Sequence, residues 1–251
     1  MAIDRQRLTA KKAPLSEIVH GRFVQKSGFE SNYVLSRLGR RLSRVMVLGL
    51  VVDKFLSEDG NYATITLDDG TETMRCKVFV NTKMFDRINP GDLVSVMGKV
   101  REYNGEIYIV PESVRKEEAN METLRMLELK RQEDEQKRKV KAVFELKEQT
   151  ADLNELKAVA LKQGISNEDA ESILEAQELI EAESEKKSEE NSRAKEAVLK
   201  IIEEKDMGNG ADYGEILRKS GLPESLVDAT IQDLLESGVC FEPKAGRIKK
   251  I

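Results

Sequence analysis

The sequence has no tryptophan, one histidine and two cysteines, and aromatic residues fill only 5% of its 251 positions. Cys76 and Cys240 lie far apart, each inside an apolar run, and no CxxC pair occurs. That pattern argues against a disulfide scaffold and against a structural zinc site. With His20 as the lone imidazole, a His/Cys metal cluster is not expected, and no His-based triad is recognisable. No P-loop or nucleophile elbow is present either. No apolar run approaches the length needed to span a bilayer, and residues 1–14 are polar and basic, unlike a signal peptide. These absences predict a soluble, cytoplasmic chain with no membrane association, no cofactor, no metal and no catalytic role.

What is abundant is charge. Charged residues make up 35% of the chain and hydrophobic residues only 39%, a poor ratio for one large core. Compact modules joined by solvated helix are therefore expected. The net charge of −5 conceals an asymmetry: residues 1–116 carry 19 Lys and Arg against 14 Asp and Glu (+5), and residues 117–251 carry 22 against 32 (−10). An anionic partner should meet the first half.

Residues 42–111 carry a β pattern. A long Val- and Leu-rich run over 42–55 has Gly49 in its middle, where a bulge or bend is expected. A second strand at 62–67 ends in Asp68-Asp69-Gly70-Thr71, and a third covers 73–80. Asp-Gly between alternating strands is a hairpin signal. The adjacent aspartates are better explained by turn chemistry than by metal binding. A short helical segment at 82–88 is halted by Asn89-Pro90-Gly91-Asp92. Strands at 93–101 and 106–111 then flank the turn dipeptide Asn104-Gly105. Five strands with a helix between the third and fourth is the order of an oligonucleotide-binding (OB) fold. A five-stranded SH3-like barrel is the competing reading, but it normally lacks that helix.

Beyond the β region, 117–148 reads as a long helix with Met121, Leu124, Leu127, Val140, Val143 and Phe144 recurring on one face. A helical pair follows, capped by Gly164 and by Ser166-Asn167-Glu168-Asp169. Residues 181–193, rich in Glu, Lys and Ser, read as a linker. Helices at 194–205, 213–219 and 223–237, with Pro223 at the first helical position, precede a hairpin of 239–241 and 247–251. Three helices and a hairpin make a winged helix. The expected organisation is thus α+β and multi-domain: a basic N-terminal extension (1–41), a five-stranded OB-fold β-barrel (42–116), a helical arm and linker (117–193), and a C-terminal winged helix (194–251).

Strand side chains alternate faces. Met74, Cys76, Val78 and Val80 share one face of the third strand, and Arg75, Lys77 and Phe79 the other. In the fourth strand Val94, Val96, Gly98 and Val100 oppose Ser95, Met97, Lys99 and Arg101, with Tyr103 following in register. The outward sets pair basic groups with aromatics. Such a face suits single-stranded nucleic acid, since cations neutralise phosphates and rings stack on bases at roughly 1–3 kcal/mol each. The plainer reading puts Phe79 under the following helix or a loop and leaves Arg75 and Lys77 as solubilising groups. Tyr62 and Tyr108 are weaker candidates, more often packing residues, while Phe55 either borders the groove or caps the barrel.

Several stretches together resemble the archaeal replication protein A middle-subunit family: Pro14-Leu15-Ser16-Glu17-Ile18-Val19-His20-Gly21-Arg22-Phe23-Val24, Phe29-Glu30-Ser31-Asn32-Tyr33-Val34-Leu35, residues 41–52, Leu67-Asp68-Asp69-Gly70-Thr71 and residues 90–99. The resemblance covers roughly 12–130 and, in architecture only, 194–251. It implies a subunit of a heterotrimer that coats single-stranded DNA in replication, repair and recombination, associated with the nucleoid. It also implies base stacking on aromatics at the positions of Phe79 and Tyr103, and partner-subunit helices packing on Met121, Leu124 and Leu127. The segment 130–193 is longer and more helical than that family's linker. The third C-terminal helix carries Glu224, Asp228, Asp233 and Glu236 and no Lys or Arg. It would repel duplex phosphates, so the C-terminal domain is expected to dock replication or repair proteins. Two other functions are kept open: an assembly scaffold with little DNA affinity of its own, and an RNA-binding barrel.

Overall fold

The structure, a computed structural model, describes residues 8–27, 31–150 and 152–251. Phe29 and Glu30 of the family-like stretch, and residues 1–7 of the expected extension, lie outside the described residues. The chain begins with β1 (Lys11–Lys12) and α1 (Leu15–Val19). A small antiparallel sheet of β2 (Arg22–Val24), β3 (Tyr33–Leu35) and β4 (Arg41–Leu42) follows. Then come β5 (Arg44–Leu56), β6 (Tyr62–Asp68), β7 (Thr73–Phe79), a 3₁₀ turn (Thr82–Phe85), β8 (Leu93–Tyr103) and β9 (Glu106–Lys116). Their order in the sheet is β1-β5-β6-β7-β9-β8, and β8 pairs with β5 as well. This is the strand order of an OB fold.

β5 serves two partners. Residues 44–50 pair with β8 and residues 50–56 with β6, and Leu50 faces both Leu93 and Asp68. Gly49 sits at that handover, where a Cβ would lie 2.9 Å from the Asp68 carbonyl oxygen. The bulge expected at Gly49 falls instead between Val51 and Asp53. Gly49 provides close backbone approach, and the extra residue comes where the strand has already changed partner. The helix expected at 82–88 is a single 3₁₀ turn. Phe85 and Ile88 enter the core there, and Lys54 Nζ donates to both of their carbonyls at 2.6 and 2.8 Å.

The expected inward residues face the core up to the end of β7. Met74, Cys76, Val78, Val94, Val96, Val100 and Ile109 are buried together. Burial also pushes the Cys76 thiol far above its ordinary value. Leu15 and Ile18 of α1 are fully buried in the same core, each contributing about 1.5–3 kcal/mol. Asp69, in the β6–β7 turn, accepts the Leu15 N–H at 2.7 Å and so holds α1 in place. The compact fold therefore reaches back before Leu42, because the sheet needs α1 to cover its open end.

Three helices accompany this sheet: α2 (Asn120–Gln149), α3 (Leu153–Lys162) and the start of α4 (Asn167–Lys205). Val143, Leu146, Leu156, Ala160, Ile165, Ala170 and Ile173 form their own core. The expected caps are present: Gly164 takes φ +79, and Ser166 Oγ accepts the Asp169 N–H at 3.0 Å. Residues 181–193, expected as a linker, are helical. That stretch has neither Gly nor Pro, and its Ala, Glu, Lys and Arg favour helix without tertiary support.

The first compact unit ends at Glu178, and the second spans Leu179–Ile251. In the second, the end of α4 is followed by β10 (Ala211–Asp212), α5 (Tyr213–Ser220), α6 (Glu224–Glu236), β11 (Cys240–Lys244) and β12 (Arg247–Lys250). The strands form a sheet of order β10-β12-β11. Val198, Ile202, Ile216, Val227, Ile231, Leu234, Cys240 and Ile248 make its core. Pro223 is the N-cap of α6 rather than its first helical residue. Among the described residues no helix is long and apolar enough to cross a membrane, and no group of three or more His, Cys, Asp or Glu side chains is placed to hold a metal.

Candidate nucleic-acid interface

The hairpin register between β6 and β7 sets the site. Counting outward from the Asp69–Glu72 turn, Asp68 faces Thr73, Thr66 faces Arg75, Thr64 faces Lys77 and Tyr62 faces Phe79. Residues in register share a face, so one outward surface carries all four pairs. At its far end stand three rings. Phe55 and Tyr62 have centroids 6.2 Å apart, and Tyr62 and Phe79 5.3 Å. Phe79 is 55% exposed and Phe55 is also open, which is costly for two large apolar rings unless something covers them.

Val80 adjoins the strip. Its φ is +74, and the Asn81 N–H donates to the Phe79 carbonyl across it at 2.9 Å. This is a γ-turn of the strained hand at a β-branched residue, costing about 1–3 kcal/mol. Despite that cost the Val80 side chain points into solvent, 83% exposed. Val80, expected on the inward face, thus belongs to the outer surface, because the turn at the end of β7 breaks the alternation.

The basic residues of β7 are not free. Lys77 Nζ lies 2.7 Å from Glu106 Oε2, and Arg75 donates to Glu106 Oε1 at 3.3 Å. Lys77 also stands over the Tyr108 ring at 4.5 Å, and its side chain is only 12% exposed, against 58% for Arg75. The Lys77 hydrogen bond, then the nearby positive charges of Lys77 and Arg75, hold the Glu106 carboxyl below its ordinary range despite an opposing desolvation effect.

Across β9 the face continues onto β8. Arg101 is in register with Tyr108, Lys99 with Val110 and Tyr103 with Glu106. Lys99 and Tyr103 are exposed and Arg101 half-buried. Tyr103 sits at a tight turn in which Asn104 and Gly105 both take positive φ, as Asn-Gly predicts. Ser95 and Met97 share this parity but are covered, and β3 packs against β8. Only the Lys99 end of β8 is therefore available. Among the described residues the ring contacts are Phe55–Tyr62 and Tyr62–Phe79, and Tyr103 joins neither. The six sequence candidates thus divide into Phe79 in the aromatic strip, Arg75 and Lys77 at Glu106, and Lys99, Arg101 and Tyr103 beyond β9.

The sequence ranks Tyr62 and Tyr108 below Phe79 and Tyr103 and does not connect Glu106 with the β7 cations; the structure puts Tyr62 against Phe79, Tyr108 beneath Lys77 and Glu106 on both Arg75 and Lys77. Hairpin register, counted from the turn, would have set Tyr62 opposite Phe79. Glu106 needed the β7–β9 neighbour relation, which is parallel and joins strands distant in sequence (Cys76 with Ile109). On α2, Leu124 and Leu127 are exposed and Met121 is half-buried. The helix docks through polar groups instead: Arg125 donates to the Met46 carbonyl at 3.0 Å, and Gln136 to that of Leu38 at 2.7 Å.

The OB-fold nucleic acid binding domain family profile matches residues 45–117, the span from β5 to the end of β9. An uncharacterised protein of Methanocaldococcus jannaschii is 29% identical over 215 residues, covering 84% of this chain and 76% of that protein. Among solved structures, the S. pombe Stn1–Ten1 complex overlays with a TM-score of 0.43 at 17% identity, covering 51% of this chain and 93% of that one. A replication protein A heterotrimer bound to ssDNA overlays at 0.42 and 14% identity, covering 51% and 98%. The second OB-fold domain of replication protein A from Methanococcus maripaludis overlays at 0.25 and 22% identity, covering 31% and 85%. At these TM-scores the fold assignment rests on the strand order and the family profile, not on the overlays.

Proposed function

We propose that this chain is a subunit of a replication protein A-type complex that binds and protects single-stranded DNA, and that it is not an enzyme. The observation that carries the reading is the outward face of β7, β9 and β8, on which exposed aromatics and basic side chains lie side by side on an OB-fold sheet. Phe79, Tyr62 and Phe55 would stack on unpaired bases at one end. Arg75, Lys77, Lys99 and Arg101 would neutralise phosphates, and Tyr103 would offer a second stacking surface. We further read the sheet as a closed barrel, since its pairings lead from β5 through β6, β7, β9 and β8 back to β5. The C-terminal unit reads as a winged helix whose acidic α6 docks other replication or repair proteins. Met121, Leu124 and Leu127 would meet partner subunits.

The test is fluorescence anisotropy of a labelled oligothymidine against the full chain over a salt series. Weak, salt-sensitive binding is expected, falling about tenfold or more when Phe79 and Tyr103 are both changed to Ala. Unchanged binding in the double variant would sink the assignment of this face. Tighter binding of oligouridine than of oligothymidine would point to RNA.

A second reading is favoured by the Glu106 ion pairs and the open leucines of α2: an assembly scaffold with little DNA affinity of its own. It predicts no oligothymidine binding by the isolated chain even at low salt, together with association through α2.

A further inference from the structure

The β7 cations have a resident anion. Glu106 sits at the first position of β9, just past the Asn104-Gly105 turn, and one carboxylate serves both Arg75 and Lys77. Lys77 is nearly covered by its neighbours, so its charge is poorly solvated and needs an anion close by. The Glu106 side chain, by contrast, is 41% exposed and can leave. Beside it lies a cavity of about 430 Å³ lined by Thr66, Thr73, Met74, Gly105 and Ile107 in addition to Arg75. Glu106 itself borders that cavity, so its carboxylate has open space beside it.

We infer that Glu106 is an internal counter-ion occupying the position of a backbone phosphate, and that a bound strand must displace it from Arg75 and Lys77. This rests on the single-stranded-DNA reading of the same face. Two things hold at once in the free protein. The carboxylate keeps Lys77 paired, and it competes with every incoming phosphate. Glu106 therefore lowers the affinity of the site and limits non-specific capture of polyanions that cannot also engage the aromatic strip. A strand that stacks on Phe79 and Tyr62 recovers what the exchange of anions costs, whereas a simple polyanion does not.

The experiment compares the full chain with E106Q, using labelled oligothymidine over a salt series, with E118Q as a charge-matched control beyond the end of β9. E106Q keeps the size of the side chain and removes its charge. It should bind roughly two- to fivefold tighter, the range set by the modest strength of ion pairs whose carboxylate is open to solvent. The slope of log affinity against log salt should steepen by about 0.7 for each additional phosphate neutralised, up to roughly 1.4 when both cations are engaged. E118Q should match wild type, and adding R75Q and K77Q to E106Q should abolish the tighter binding. Equal or weaker binding by E106Q, while wild type binds, overturns the role of Glu106 and leaves the DNA reading standing. An equal increase in E118Q overturns it as well, since general charge would then explain the effect. Absence of binding by every variant at low salt defeats the DNA reading itself, and this inference with it.

Discussion

Val80 and Tyr62 carry the sharpest residue-scale expectations. Replacing Val80 by Gly removes a β-branched side chain from a left-handed backbone position. It should raise stability by about 1 kcal/mol, seen as a higher melting temperature, while loosening oligothymidine binding if the isopropyl group extends the aromatic strip. A lower melting temperature would mean the turn is not strained. Tyr62→Ala should weaken binding about as much as Phe79→Ala, roughly tenfold, because the two rings lie in tilted contact and support one another rather than forming a lone platform. In the C-terminal unit, the Tyr213 hydroxyl donates to Asp228 at 2.5 Å, and that hydrogen bond, with some desolvation, pushes its ionisation up to about 12. The folded value exceeds the ordinary one, so the contribution is complete below about pH 10 and lost on rising towards 12. Phenolate absorbance in a pH titration should show one tyrosine ionising late, and Y213F should remove that component.

At the scale of elements, α2 combines an apolar C-terminal part, where Val143 and Leu146 are buried, with hydrogen bonds from Arg125 and Gln136 to the chain within and before β5. Arg125 is buried against the Met46 carbonyl, and Gln136 against that of Leu38. Removing a buried charged donor leaves its acceptor unsatisfied, at about 1.5–3 kcal/mol. Arg125→Ala should therefore lower the denaturant midpoint, whereas Leu124→Glu with Leu127→Glu should hardly change it, because both leucines face solvent. If the leucine pair meets partner subunits, the double variant should instead lose association in a sedimentation experiment; unchanged association would remove α2 from the interface. The element α1 is the counterpart case. Five residues long, it could not persist alone, yet it stands because Leu15 and Ile18 close the sheet core and Asp69 caps it.

For the whole molecule, ion pairs recur within both units, and in the first unit several of them hold their carboxylates low. Lys77 holds Glu106 below its ordinary range, Lys12 holds Glu128, Lys137 holds Glu133, Lys157 holds Glu171 and Lys116 holds Asp92. A carboxyl with a lowered folded pKa stabilises the fold above its unfolded pKa and loses that contribution as pH falls through the folded one. Reference values are 4.5 for Glu and 3.8 for Asp. The melting temperature should thus be flat near neutrality and fall once pH drops through about 4.5. These groups are largely exposed, so the individual effects are small, and high salt should blunt the decline. A decline beginning near pH 7 would point to another titrating group.

The candidate face was half legible. Alternation alone put Arg75, Lys77 and Phe79 opposite Met74, Cys76 and Val78, because a strand has a period of two whatever surrounds it. Turn dipeptides, helix caps and the OB order were equally readable, since Asp-Gly, Asn-Gly and Ser166 act through their own backbone neighbours. What required the tertiary structure was every relation between strands remote in sequence. The pairing of β7 with β9 brings Glu106 onto Arg75 and Lys77, and β3 packs against β8 where Ser95 and Met97 are covered. The turn after β7 rotates Val80 outward, and α1 enters the sheet core. Local sequence determines which way a side chain points from its own element; only the closing of the fold decides which charge, ring or chain segment it meets there.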